Sequence, residues 1–105
     1  MTGLEYLKLN RNQLTSIPSE ISNLALLSDL DLSFNRLTSI PSIVNMAGLK
    51  RLDLRDNQLT SIPSEIGELT GLRTLLLFGN QLTSIPENLR WMIPDVQAIN
   101  FNWAN

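Results

Sequence analysis

The residue types that most often do chemistry are missing from this chain, which contains no histidine and no cysteine. It therefore lacks the commonest general base, the thiolate nucleophile and the preferred ligands of most transition metals. The sequence also contains no phosphate-binding loop, dinucleotide-binding fingerprint or EF-hand spacing. We therefore predict that the protein is not an enzyme and uses no cofactor and no metal.

Two aspartates are the strongest remaining candidates for chemistry. Asp31 and Asp53 each lie between two leucines, at the same place in successive copies of a repeated pattern. Neighbouring carboxylates can hold a cation or act as acid and base. However, Lys8, Arg51 and Arg55 belong to the same segments, and charged residues usually lie on a solvated surface. We therefore expect two solvated carboxylates rather than a reactive pair.

The pattern that must position these residues is L-x-x-L-x-L-x-x-N-x-L-T-S-I-P. It begins at Leu4, Leu27, Leu49 and Leu72. Its asparagine recurs at intervals of 23, 22 and 23 residues. These four frame asparagines are Asn12, Asn35, Asn57 and Asn80. A fixed period in this range predicts a solenoid. The repeats cover residues 4–26, 27–48, 49–71 and 72–95, with a partial fifth unit at 96–105, in one domain spanning residues 1–105.

Alternating leucines at the start of each repeat predict a short strand, with Leu7 and Leu9 inward and Tyr6 and Lys8 outward. Because every repeat runs in the same direction, the strands should form a parallel sheet. The frame asparagines follow the strands, where an amide with two donors and one acceptor can bond to backbone groups in the turns. We expect a structural ladder of asparagines along the solenoid.

The second half of each repeat returns along the convex side. In the segment from Ile17 to Ile21, Pro18 is expected at the start of a helical turn, where its missing N–H costs nothing. Glu20, Glu65 and Glu87 would then lie near helix N-termini, which favour negative charge. These segments are short, so we predict single 3₁₀ or α turns.

These repeats resemble the leucine-rich repeat family over nearly the whole chain. The resemblance implies an α/β solenoid, an arc with a parallel concave sheet and short convex turns. The 23-residue period and the I-P-x-x-I-x-x-L tail are most similar to the intracellular class found in Ras-pathway and junctional scaffold proteins. The N-Q-L-T-S-I-P motif is also similar to that of lamprey variable lymphocyte receptors, but this chain lacks their cysteine-rich caps. In the family, the concave face usually binds another protein.

The composition of the chain limits the classes of partner and the cellular location that we expect. The 105 residues carry eight basic and ten acidic side chains, a formal charge of −2, which disfavours nucleic-acid binding. No apolar run is long enough to span a membrane. Met1 leads almost directly into the first repeat, so we expect no signal peptide. Together with the absence of cysteine, this leads us to expect a cytoplasmic protein.

The outward strand positions and the residues after them change type in every repeat, whereas the frame residues stay nearly constant. Exposed aromatic and aliphatic groups rimmed by charge are typical of a protein contact. The predicted partner-binding residues are Tyr6, Asp31, Phe34, Arg51, Asp53, Arg55, Leu76, Phe78 and Trp103. We expect a recognition scaffold that binds a protein through this face. The alternative is an assembly module, or an excised or engineered fragment, that contacts neighbours or further copies end to end through uncapped ends.

Overall fold

The computed structural model describes residues 3–40, 46, 48–69, 71–82 and 99–101. Five short strands form one parallel sheet whose spatial order follows the chain. They are β1 (Tyr6–Lys8), β2 (Asp29–Asp31), β3 (Arg51–Asp53), β4 (Thr74–Leu77) and β5 (Ile99–Phe101). The predicted arc of stacked coils with a parallel sheet is confirmed, because each repeat contributes one strand in the same direction.

The register keeps equivalent repeat positions side by side. Leu7 pairs with Leu30, Leu30 with Leu52, and Leu52 with Leu75. Residues on one strand face therefore form rows that run along the solenoid. A one-residue slip would turn every leucine of a strand toward solvent, so the repeated apolar pattern itself specifies this register.

Two 3₁₀ helices form the convex turns that the structure describes, at Ser19–Asn23 and Ser64–Glu68. Ile21 and Ile66 anchor them in the core, while Glu20 and Glu65 lie in their first turns. Pro18 and Pro63 precede the helices by one residue, with extended backbones (ψ 146° and 144°). The prolines therefore lead into the turns from outside them. The equivalent Glu87 lies outside the described residues.

The core lies between the sheet and the convex turns. Leucines of the second, third and fourth repeats are fully buried in it, among them Leu30, Leu52 and Leu75. Their counterparts Leu7 and Leu9 in the first repeat are only partly buried. Each coil hides its apolar side against its neighbours, so a coil enclosed on both sides is buried most completely.

The frame asparagines connect each coil to the one before it. Asn57 accepts a hydrogen bond from the backbone N–H of Leu37 (3.0 Å) and donates to the carbonyl oxygens of Leu32 and Leu54 (3.0 and 3.1 Å). Asn35 and Asn80 repeat this arrangement in their own coils. The amides thus satisfy buried backbone groups beyond the ends of the strands, where the ladder between strands stops.

Candidate protein-binding surface

A charge cluster of Asp29, Arg51, Asp53 and Arg55 occupies the centre of the concave face. Asp53 accepts hydrogen bonds from the backbone N–H, Nε and Nη2 of Arg55, at 3.1, 2.9 and 2.8 Å. The guanidinium of Arg51 lies between Asp29 and Asp53, 3.4 Å from an oxygen of each. Asp29 and Arg51 face each other on neighbouring strands. Together these contacts hold both guanidinium groups in fixed positions.

The expectation that Asp31 and Asp53 are solvated is wrong, because both are buried. Each carboxylate folds back toward the chain just after its own strand. Asp31 accepts the backbone N–H and the hydroxyl of Ser33, at 3.0 and 2.7 Å, as Asp53 accepts the N–H of Arg55. Local donors two residues along the chain therefore replace water around both carboxylates. The signal was readable as an aspartate followed two residues later by serine or arginine.

Asp53 also raises the pKa of Arg55. The hydrogen bond to Asp53 raises the pKa of Arg55 above its ordinary value, and it outweighs the opposing effect of burial. Attraction to Asp53, Asp31 and Asp56 adds to the increase in pKa. The guanidinium of Arg55 is partly exposed and keeps N–H donors that Asp53 does not use.

Among the described residues, three aromatic side chains are exposed on or beside the concave sheet. The exposed fractions are 66% for Tyr6, 39% for Phe34 and 48% for Phe78. Tyr6 lies on β1, whereas Phe34 and Phe78 follow β2 and β4. Leu76 on β4 is half-buried. Leu26 is also exposed, at 61%, but it lies in the turn between the first 3₁₀ helix and β2.

The structure brings only some of the predicted partner-binding residues together. Asp53 contacts both Arg51 and Arg55, whereas Asp31 accepts a hydrogen bond from Ser33. Trp103 lies outside the described residues. Lys8 pairs with Asp31 in strand register, yet the two side chains form no ion pair within the described part of the chain.

The predicted partner-binding residues do not include Asp29 and Arg11. Asp29 anchors Arg51, and the guanidinium carbon of Arg11 lies 4.4 Å from the ring centre of Phe34. The cross-strand register was the available signal for Asp29. For Arg11 the signal was its place in the repeat, which is the same as that of Phe34.

Two other kinds of site are not found in the part of the chain that the structure describes. Its aspartates and glutamates form no group of three suited to holding a metal ion. Among the same residues, no helix has the length and apolar character needed to cross a membrane. No buried side-chain nitrogen or oxygen in the described residues lacks a hydrogen-bond partner.

The comparisons with known proteins agree with the repeat pattern and the sheet. The leucine rich repeat family profile matches residues 1–37 and 30–82, so the chain belongs to the leucine-rich repeat family. A leucine-rich repeat protein of Leptospira interrogans is 37% identical, with a TM-score of 0.80, over 94% of this chain and 24% of its own. Human 5T4, also called Wnt-activated inhibitory factor 1 or trophoblast glycoprotein, is 28% identical, with a TM-score of 0.72, over 95% and 38%. No curated protein sequence matches the chain.

The chain thus spans about a quarter to two fifths of the length of these two solved proteins. Leucine-rich repeat proteins generally mediate contacts between proteins and are typically not enzymes. The family therefore accounts for the architecture of this chain, whereas its function depends on the residues that the repeats display.

Proposed function

We propose that this protein is a non-catalytic recognition scaffold that binds a protein partner through the concave face of its sheet. The exposure of Tyr6, Phe34 and Phe78 around the charge cluster is the observation that carries the proposal. Aromatic and arginine side chains dominate the binding energy of protein interfaces. Exposed aromatic side chains that are rimmed by charged groups are typical of a protein contact.

The arginines add a second argument for the same face. Arg51 and Arg55 are held by carboxylates before any partner arrives. Fixing a side chain in advance lowers the entropy lost on binding. The concave face therefore combines rigid charged groups at its centre with exposed rings at its edges.

A display selection tests this proposal. The full chain is used to select binders from a random 16-residue peptide library, and the retained peptides are measured by fluorescence anisotropy. We expect affinity to fall about tenfold or more for a Tyr6→Ser/Phe78→Ser variant, as at interface hot spots. Leu26→Ser is the matched control, because it removes an exposed apolar side chain from a turn outside the strands.

The outcomes of the selection are distinct. Peptides that bind the Tyr6→Ser/Phe78→Ser variant as tightly as the wild type would count against the concave face. If the Tyr6→Ser/Phe78→Ser variant loses the β-sheet signal of the wild type in circular dichroism, these rings support the fold instead. The cytoplasmic location stays a prediction from composition and is independent of this experiment.

A second candidate is contact with another leucine-rich coil through the outer side of the first repeat. Leu7, Leu9, Leu14, Ile17 and Ile21 line an open groove of about 370 Å³ there. In the later repeats, the equivalent leucines are covered by the preceding coil. A preceding repeat of a longer protein or a second copy would both fit this groove.

Sedimentation velocity over a range of concentrations tests stacking between copies. We expect larger species to grow with concentration, because a head-to-tail contact that does not close forms open chains. A Leu9→Glu variant should remain monomeric. A wild-type chain that is monomeric at every concentration would contradict self-stacking.

A further inference from the structure

Four residues at the edge of the concave face share an unusual backbone conformation. This rim row consists of Arg11, Phe34, Asp56 and Gly79, one from each repeat. Their φ angles are 62°, 57°, 57° and 83°. A positive φ is uncommon outside glycine, and it is a genuine outlier for a bulky residue such as phenylalanine. Because the backbone is alike in each coil, the side chains project in similar directions and follow one another along the solenoid.

Arg11 and Phe34 form a stacked pair within the rim row. The guanidinium carbon of Arg11 lies 4.4 Å from the centre of the Phe34 ring, within the range of a cation–π contact. Arg11 makes no ion pair with any described residue. The ring therefore helps to position the guanidinium without neutralising its charge, and both groups remain exposed.

Asp56 lies on the other side of Phe34 in the same row. Its half-buried carboxylate makes no hydrogen bond or ion pair with a described residue. The carboxylate leans over Gly79, where an added Cβ would lie 2.8 Å from Cγ of Asp56. The adjacent Arg55 is engaged by Asp53 and acts on Asp56 only through space. Asp56 thus keeps its capacity to accept donors from another molecule.

We infer that the rim row binds a helical segment of the protein partner that carries a carboxylate, an apolar side chain and a cation in line. The carboxylate meets Arg11, the apolar group meets Phe34, and the cation meets Asp56. This inference rests on the proposed function and names the chemistry of the partner. Oppositely charged groups at the first and third positions of the row give orientation and specificity, which is the main effect of charge complementarity at interfaces.

Spacing favours a helix over an extended peptide. Adjacent strands lie about 4.8 Å apart, so Arg11 and Asp56, which are two coils apart, are separated by roughly 10 Å at the backbone. On a helix, residues seven apart share a face and are about 10.5 Å apart, with residues three or four apart between them. Same-side residues of an extended chain fall about 6.7 and 13.4 Å from the first, which matches neither position.

The experiment uses the full chain and a display library of helical peptides with randomised exposed positions. We expect selected peptides to be enriched in an acidic and a basic residue seven positions apart with an apolar residue between them. An Arg11→Asp/Asp56→Arg variant keeps the net charge and reverses the row. It should bind these peptides about tenfold more weakly. Peptides with the two charges exchanged should recover that affinity on the variant.

The matched control is Glu5→Arg/Arg73→Glu, which exchanges two exposed charges off the rim row and should leave binding unchanged. If the double rim variant fails to fold, Arg11→Asp alone is tested with peptides whose acidic residue is replaced by lysine. Equal binding of original and charge-exchanged peptides to the reversed row would overturn the inference, since the charges would then be merely solvated.

The two proposals fail in different ways. In one outcome, selected peptides bind Tyr6→Ser/Phe78→Ser more weakly but bind Arg11→Asp/Asp56→Arg as tightly as the wild type. That result would support the concave face as the binding site and overturn the inference about the rim row. Peptides whose affinity is unchanged by both double substitutions would count against both proposals. A library from which no peptide is retained would do the same.

Discussion

Asparagine is the polar residue on which the repeat depends most, because its amide serves two coils at once. Asn57 donates to carbonyl groups of its own coil and of the preceding one, and it accepts an N–H from the preceding coil. Aspartate could accept but not donate, and leucine could do neither. The identity of this residue therefore follows from the backbone groups that surround it.

Replacing Asn57 with alanine should strongly destabilise the protein. The change leaves several buried backbone groups without partners, each at a cost of about 1–3 kcal/mol. The free energy of unfolding is measured by urea denaturation. Asn12→Ala is the control and should cost less, because Asn12 is exposed and its side chain bonds only within its own coil. An unchanged midpoint for Asn57→Ala would contradict the structural role of the frame asparagines.

Asp53 shows a different use of a polar residue. Its buried carboxylate is satisfied by Arg55 and Arg51, and the same contacts hold those arginines on the concave face. A buried ion pair is weak evidence for stability, since desolvation offsets much of the attraction. Its clearer effect is to place two charged donors at fixed points of the proposed binding surface.

At the scale of the element, the strands are too short to be stable alone. Each contains three or four residues, and a coil covers its leucines only when another coil lies against it. The buried leucines of β2, β3 and β4 form a continuous row inside the sheet. Burial in this row, rather than local preference, accounts for most of the stability of each strand.

The same substitution should therefore change stability by different amounts in different coils. Leu52→Ala removes a side chain enclosed between Leu30 and Leu75, and the free energy of unfolding should fall by about 2–5 kcal/mol. Leu7→Ala should cost less than about 2 kcal/mol, because Leu7 is only partly buried. Urea denaturation of both variants measures the contrast. Equal losses would show that the first coil is packed as tightly as the third.

At the scale of the whole molecule, the residues that stabilise a solenoid are separate from the residues that its surface exposes. Leucines and asparagines occupy inward positions that repeat identically, so neighbouring coils stack in register. Outward positions are released from that constraint and differ in every coil. The concave face and the rim row are therefore where this chain can differ from its relatives without loss of fold.

The fold was predictable because its signals are local and repeated. Alternating leucines predict each strand, the fixed period predicts parallel pairing, and the asparagine after each strand predicts backbone hydrogen bonding in the turn. The short convex turns were also predictable in kind, although Pro18 lies before its turn rather than at its first residue.

The candidate site was less predictable, since its properties depend on how side chains from different coils meet. The residue types of Arg51, Asp53 and Arg55 indicated a charged surface, but not that Asp53 is fully buried between the two arginines. The contact of Arg11 with Phe34 depends on left-handed backbones in two separate turns. The pattern of residue types alone does not predict such backbones.

The sequence by itself determined the repeated coil, the direction and register of its strands, and the set of residues that face outward. The reason is that a period of about 23 residues with fixed leucines has one consistent way to bury its apolar side. Only the tertiary structure decided which outward residues are exposed and which satisfy one another. That outcome depends on side-chain distances across neighbouring coils: Asp53 is buried against two arginines, whereas Asp56 forms no ion pair with a described residue.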